Sequence, residues 1–184
     1  MQLDLFNTKE ALNEWVKLVM GEARKNLETG RPPHGSHNAS GNLSSKINYT
    51  LVQTQTGFKS EISMPEYGEY LDKGVSGIKQ KYKTPYAFKS KGGKRGLKGM
   101  PPTSALDKWS VRRKIAPRDD KGRFLPRQSV LFLIAAGIFR KGIAPTLFMT
   151  NAFKKYRKEL PVRLSAAYQE DVGQVLKVTL KSLE

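Results

Sequence analysis

Residues 79–104 carry eight Lys/Arg and no acid, with Tyr82, Tyr86 and Phe88 interleaved and Gly and Pro dense toward the end. Such a composition cannot bury enough apolar surface to build a core of its own, so it reads as an extended arm or long loop. The wider stretch 73–127 holds 17 Lys/Arg against three acids (Asp107, Asp119, Asp120), a net charge of +14. The other 129 residues hold 16 basic and 13 acidic groups, a net of +3 out of the chain's +17. A field concentrated in this way favours polyanionic partners. Lys79, Lys81, Lys83, Lys89, Lys91, Lys94, Arg95 and Lys98, with Tyr82, Tyr86 and Phe88, are therefore candidate contacts to DNA or to a protein partner. Cations would meet phosphates, and the rings would stack on bases or on the partner. The competing reading is a solvated insertion whose charge keeps the chain soluble.

The flanks read as a folded body. At 184 residues the chain fits one domain, long enough to bury about 70% of its unfolded surface. The expected segments are 1–77, a helix with a β-hairpin; 78–126, the basic insertion; and 127–184, a helical part. Asn7 and Glu10 fit a capping box. From there Leu12, Trp15, Val16, Val19, Met20, Ala23 and Leu27 recur at helical steps until Gly30 and Pro32-Pro33 end the pattern. Residues 47–56 and 58–64 alternate with period two across Gly57, which predicts an antiparallel hairpin beneath that helix. The expected fold class is α+β: an N-terminal helix on a small antiparallel sheet, a long basic insertion and a helical end.

Residues 64–77, MPEYGEYLDKGVSG, join body to insertion. Pro65 opens them and Gly74 and Gly77 close them, so one or two helical turns should end in a backbone reversal. Tyr67 and Tyr70 would plug the core. Further on, Thr103 or Ser104 is placed to cap a helix over 105–116 that Pro117 stops, and 118–123 is a turn. Pro126 starts a helix running to about Lys141. Its stretch 130–139 is apolar on all sides, which predicts a buried central helix or a subunit interface. Two helices follow: one with Phe148, Ala152 and Tyr156 on one face, and, after Pro161, one with Leu164, Tyr168, Val172, Val175, Leu176, Thr179 and Leu183 in a stripe.

Little of the sequence suggests catalysis. Cysteine is absent, which removes disulfides and thiolate chemistry. His34 and His37 share a loop of Gly, Pro and Ser without an acid to orient them, so neither a metal site nor a base is expected. Glu66, Glu69 and Asp72 read as local pairing with Lys73 rather than a cation site. Gly92-Gly93-Lys94-Arg95-Gly96 lacks the strand before and the Lys-Ser/Thr after that a phosphate loop requires. No leader is expected from the first 15 residues, and the ten-residue apolar run at 130–139 is too short to span a bilayer. Neither enzyme nor cofactor is expected, and a soluble protein made in the cytoplasm is.

Three landmarks occur in order: SGNLSSKINYTL from Ser40, YGEYLDKGVSG from Tyr67, and KGIAPTLFMTNAF from Lys141. Together they resemble the tail-completion, or head–tail joining, family of tailed bacteriophages. That family typically has a Thr/Ser-Gly-x-Leu entry to the first strand. It continues with a Tyr-Ala/Gly-x-Tyr-hydrophobic-acid-x-Gly-Thr motif and a Pro-x-x-Phe-hydrophobic-x-x-Ala segment. The matching positions are Gly41 and Leu43; Tyr67, Tyr70, Asp72 and Gly74; and Pro145, Phe148 and Ala152. The resemblance covers 1–77 and 127–184. Val75-Ser76 replaces the usual Thr, and 79–126 exceeds the family core. It implies a homo-oligomeric ring, six- or twelve-fold, in the neck of the virion. Such a ring would sit between portal or adaptor and tail, around the DNA path and able to touch duplex DNA, with no membrane involved. A free-standing nucleic-acid-binding protein is the alternative.

Overall fold

The structure, a computed structural model, describes residues 5–30, 37, 40–54, 57–92 and 97–181. In chain order the elements are α1 (Phe6–Thr29), α2 (Asn42–Ser45), β1 (Asn48–Thr54), β2 (Gly57–Ser63), α3 (Tyr67–Lys73), β3 (Val75–Ser76), α4 (Thr103–Arg112), α5 (Arg127–Lys141), β4 (Gly142–Ile143), α6 (Phe148–Tyr156) and α7 (Glu159–Lys181). The class is α+β, with a helical C-terminal part. Two compact units divide the chain: Met1–Thr29 with Ser44–Met64 and Phe148–Glu184, and Gly30–Leu43 with Pro65–Leu147. These boundaries cut across the segments 1–77, 78–126 and 127–184, because residues 65–77 fold with the basic stretch and not with the hairpin.

In the first unit, α1 buries the stripe its spacing prescribes: Val16, Val19, Ala23 and Leu27 are fully buried and Trp15 and Met20 nearly so. Each large side chain in that stripe contributes about 1.5–3 kcal/mol of burial. Helices α6 and α7 pack on it. Trp15 Nε1 donates to the Tyr156 carbonyl at 2.9 Å, and its ring meets Phe153 at 5.9 Å. Strands β1 and β2 form the expected antiparallel hairpin, with Tyr49 opposite Ile62 and Thr54 opposite Gly57. Residues 55 and 56 of the expected link lie outside the described residues. Arg24 ties the hairpin's entry to α1 through the carbonyls of Ser44 (3.1 Å) and Ile47 (2.8 Å), and Tyr49 Oη donates to Asn13 Oδ1.

Two details of this unit differ from expectation. Asn7 is not the N-cap, since α1 already begins at Phe6. The cap is Asp171, from α7. Its Oδ1 accepts from Asn7 N (2.9 Å) and Nδ2 (2.8 Å), and its Oδ2 accepts from Thr8 N (2.9 Å) and Oγ1 (2.7 Å). The first-turn amides of a helix have no intrahelical acceptor, so a carboxylate supplied by tertiary structure satisfies them. This contact also fixes which face of α7 turns inward. Ala167 and Asp171 are buried and Leu164, Val172, Val175 and Thr179 of the predicted stripe are half-buried, while Tyr168 (50% exposed) and Leu176 (58%) face solvent and Leu183 lies outside the described residues. Pro161 sits in the first turn of α7, where its missing N–H costs nothing.

In the second unit, α4 and α5 pack together, and Arg127 Nε reaches Asp107 Oδ1 at 2.6 Å. Pro102 occupies the N-cap of α4, so neither Thr103 nor Ser104 caps it, and the helix ends at Arg112, short of Pro117. The turn at 118–123 is as expected: the Asp119 carboxylate accepts from the amides of Lys121 (3.0 Å) and Arg123 (2.8 Å). Helix α5 runs from Arg127, behind Pro126, to Lys141, with Gly142 at its C-cap. It is not buried all round. Val130, Leu131, Ala135 and Phe139 face inward, and Phe132 (40%) and Leu133 (61%) are exposed. No helix among the described residues is long and apolar enough to cross a membrane.

Candidate functional site

The second unit carries the charge. Its residues include 20 Lys/Arg against six Asp/Glu, a net of +14, and the first unit's include 13 against ten, a net of +3. The basic field therefore belongs to a compact unit and not to an arm attached to a neutral body.

Three chain segments meet at the centre of this unit. Strand β3 pairs antiparallel with β4, Val75 opposite Ile143 and Ser76 opposite Gly142. The chain can approach this closely only because glycines stand at the crossing. A Cβ on Gly74, whose φ is 75°, would lie 2.7 Å from both the Ile143 carbonyl oxygen and Pro145 N, and one on Gly77 would collide with the Arg140 carbonyl oxygen and Gly142 N. The Leu71 carbonyl accepts from both Thr146 N (3.1 Å) and Thr146 Oγ1 (2.9 Å), and Leu147 N donates to the Asp72 carbonyl (3.0 Å). Tyr67 Oη accepts from Asn42 Nδ2 at 2.8 Å, which brings in residues 40–43. The second landmark thus meets parts of the other two: Asn42 on one side, with Leu43 lining the groove beside it, and Ile143, Pro145 and Thr146 on the other. Phe148 and Ala152 are core residues of the first unit instead.

Around this junction lies a groove of about 800 Å³. Leu43, Leu71, Val75 and Ile143 supply aliphatic surface, and Tyr67 (46% exposed) and Trp109 (37%) are partly open to solvent. Tyr70 meets Tyr86 edge to face at 4.6 Å, so neither tyrosine of the motif is a core plug. A polar chain runs beside them. Tyr70 Oη donates to Glu66 at 3.3 Å, and Lys73 Nζ to Glu69 at 2.6 Å. The Lys73 and Tyr86 hydrogen bonds hold the Glu69 carboxyl below the usual carboxylate range, and the Glu69 contact raises Tyr86. The nearby Glu66 charge raises Tyr70.

The basic segment starts by folding back onto this junction. Ser76 N donates to the Tyr86 carbonyl (2.8 Å) and Phe88 N to the Ser76 carbonyl (2.9 Å). Thr84 Oγ1 bonds the Gly74 carbonyl at 2.9 Å, and Phe88 meets Phe139 at 5.9 Å. Over its first half the segment is therefore stitched into the unit and is not a free arm. The reason is its period-two alternation. Tyr82, Thr84, Tyr86 and Phe88 are half-buried, while Lys81, Lys83, Pro85, Ala87 and Lys89 are exposed, so the segment borrows the core of its neighbours. Tyr86 and Phe88 are packing residues, and Lys81 Nζ is tied to the Gly77 carbonyl at 2.8 Å. Lys79, Lys83, Lys89, Lys91 and Lys98 are exposed. Lys91 N and Lys98 N close the far end through the carbonyls of Lys98 and Gly92. Lys94 and Arg95 lie outside the described residues, as does His34.

Among the described residues no group of three or more His, Cys, Asp or Glu is arranged to hold a metal ion. Sequence reasoning passed over Trp109, Ala87 and Asp171 as functional or structural determinants. Only the alternation over 81–89 carried a legible signal for any of them. No protein-family model, curated protein or solved structure matches this chain.

Proposed function

We propose that this chain is a structural virion protein of the bacteriophage neck, a ring subunit that joins the head, through portal or adaptor, to the tail around the DNA path. The observation that carries the reading is the convergence of residues from the three landmarks on one junction: Asn42 on Tyr67, Gly74 against Ile143 and Pro145, and Thr146 on Leu71. Residues scattered over a hundred positions of sequence meet there, and glycine is required sterically at the contacts. The role assigned is one of shape and assembly, as a six- or twelve-fold homo-oligomer made in the host cytoplasm and incorporated into the virion. The uneven charge suits it, since a +14 unit facing the channel or an acidic neighbour would hold DNA or that neighbour. A phage with a nonsense codon in this reading frame should yield filled heads and separate tails, seen by electron microscopy. Normally joined particles would refute the proposal.

The same charge favours a second reading, a free-standing nucleic-acid-binding protein. Its affinity for duplex DNA should then fall with salt at a log–log slope of about −0.9 per neutralised phosphate. Salt-insensitive or undetectable binding removes it.

A further inference from the structure

Residues 85–89 form one wall of the groove in the second unit. They are extended and lie parallel to β3 through the Ser76–Ala87 bridge. Ser76 uses the Tyr86 carbonyl and the Phe88 amide. In an extended strand, alternate residues turn their backbone groups to opposite sides, so the N–H and C=O of Ala87 point away from β3. Neither group is hydrogen-bonded among the described residues, and Ala87 is exposed. A free strand edge therefore runs alongside an apolar groove whose volume lies in the range of real binding sites.

Charge selects what can fill it. Lys83 and Lys89 flank the edge, are exposed and enter no ion pair among the described residues. Lysines on an edge repel strands of basic proteins, including a second copy of this +17 chain, and admit a strand carrying acids. A nucleic acid could stack on Tyr67 and Trp109, but its phosphates would meet aliphatic side chains and, among the described lining residues, a single cation, Lys89. We propose that this groove and the Ala87 edge bind an extended, acidic segment of another protein by strand addition. Its backbone would pair with Ala87, its alternate apolar side chains would enter the groove past Tyr67 and Trp109, and its acids would face Lys83 and Lys89. The inference does not depend on the neck assignment and would hold in any particle or cell.

The test is fluorescence anisotropy of the full chain with a labelled peptide alternating glutamate and valine. Saturable binding is expected, weakened about tenfold by N-methylation of the peptide's central amides and about tenfold by Lys83→Glu with Lys89→Glu. These exposed substitutions leave the packing intact, and circular dichroism would verify that. Trp109→Ala should weaken binding without changing the salt dependence, since it removes only apolar contact. The proposal is overturned if the peptide fails to bind, or if N-methylation or replacement of glutamate by lysine leaves binding unchanged. It is equally overturned if oligothymidylate displaces the peptide, which would assign the groove to nucleic acid. Concentration-dependent sedimentation that abolishes peptide binding would assign it to a second copy.

Discussion

Removing the buried Asp171 carboxylate of α7 should be costly. The group is 1% exposed and accepts four hydrogen bonds, all from Asn7 and Thr8. Loss of a helix cap costs about 0.5–2 kcal/mol. Here the two side-chain donors lose their partner as well, and an orphaned buried donor costs about 1–3 kcal/mol. Since these terms overlap, Asp171→Ala should cost about 3–4 kcal/mol. For a chain of this size that lowers Tm by roughly 6–16 °C. Asp171→Asn keeps one acceptor oxygen and should cost about half as much. Burial pulls the Asp171 carboxyl upward, but the bonds from the Thr8 and Asn7 side chains and amides outweigh it, leaving the group below its ordinary value. A carboxyl depressed in the folded state stabilises it above the unfolded pKa of about 3.9. That stability is lost as pH falls through the lower, folded value. The gap between wild type and Asp171→Asn should therefore be constant near neutrality and narrow below about pH 4. Urea unfolding of both proteins at several pH values measures it. A cost for Asp171→Ala below about 1 kcal/mol, or a gap unchanged in acid, would refute the capping argument.

Gly74→Ala should destabilise by about 2–4 kcal/mol, through positive φ and the collision with the Ile143 and Pro145 backbone; thermal unfolding reads it. Phe88→Ala should cost about 1.5–3 kcal/mol because the ring packs on Phe139, whereas a free arm would show no change. Lys73→Ala should leave the thermal midpoint unchanged within error, since the pair with Glu69 is half-exposed and screened by solvent. Deletion of residues 79–104, which removes Tyr86 and Phe88 from the junction, should abolish cooperative unfolding of the second unit, read by urea unfolding.

The elements that stand on periodicity were legible. The stripe from Trp15 to Leu27, the hairpin around Gly57 and the helix behind Pro126 all follow from spacing and from residues that restrict the backbone. What escaped was set by partners distant in sequence. Asn7 is a good cap by residue type, but the carboxylate that caps α1 arrives from position 171, and no local pattern announces it. The exposure of Tyr168 and Leu176 on α7 has the same origin. The exposed Phe132 and Leu133 escaped because composition cannot tell a buried apolar helix from one left partly uncovered. The basic segment misled for another reason. Its charge density dominated the reading, although the period-two order of Lys81, Tyr82, Lys83, Thr84, Pro85, Tyr86, Ala87, Phe88 and Lys89 was present throughout. The groove was half legible: the motif glycines and tyrosines pointed to the junction, but Trp109 and the Ala87 edge came from segments read as helix and arm.

The Asp171 cap also orders events during synthesis. Asn7 leaves the ribosome 164 residues ahead of its acceptor, Asp171. Until then the leading helix has an unsatisfied first turn and no α6 or α7 to cover its apolar stripe. The second unit needs nothing beyond Leu147. The second unit would thus acquire protease resistance on the ribosome before α1 is capped and covered.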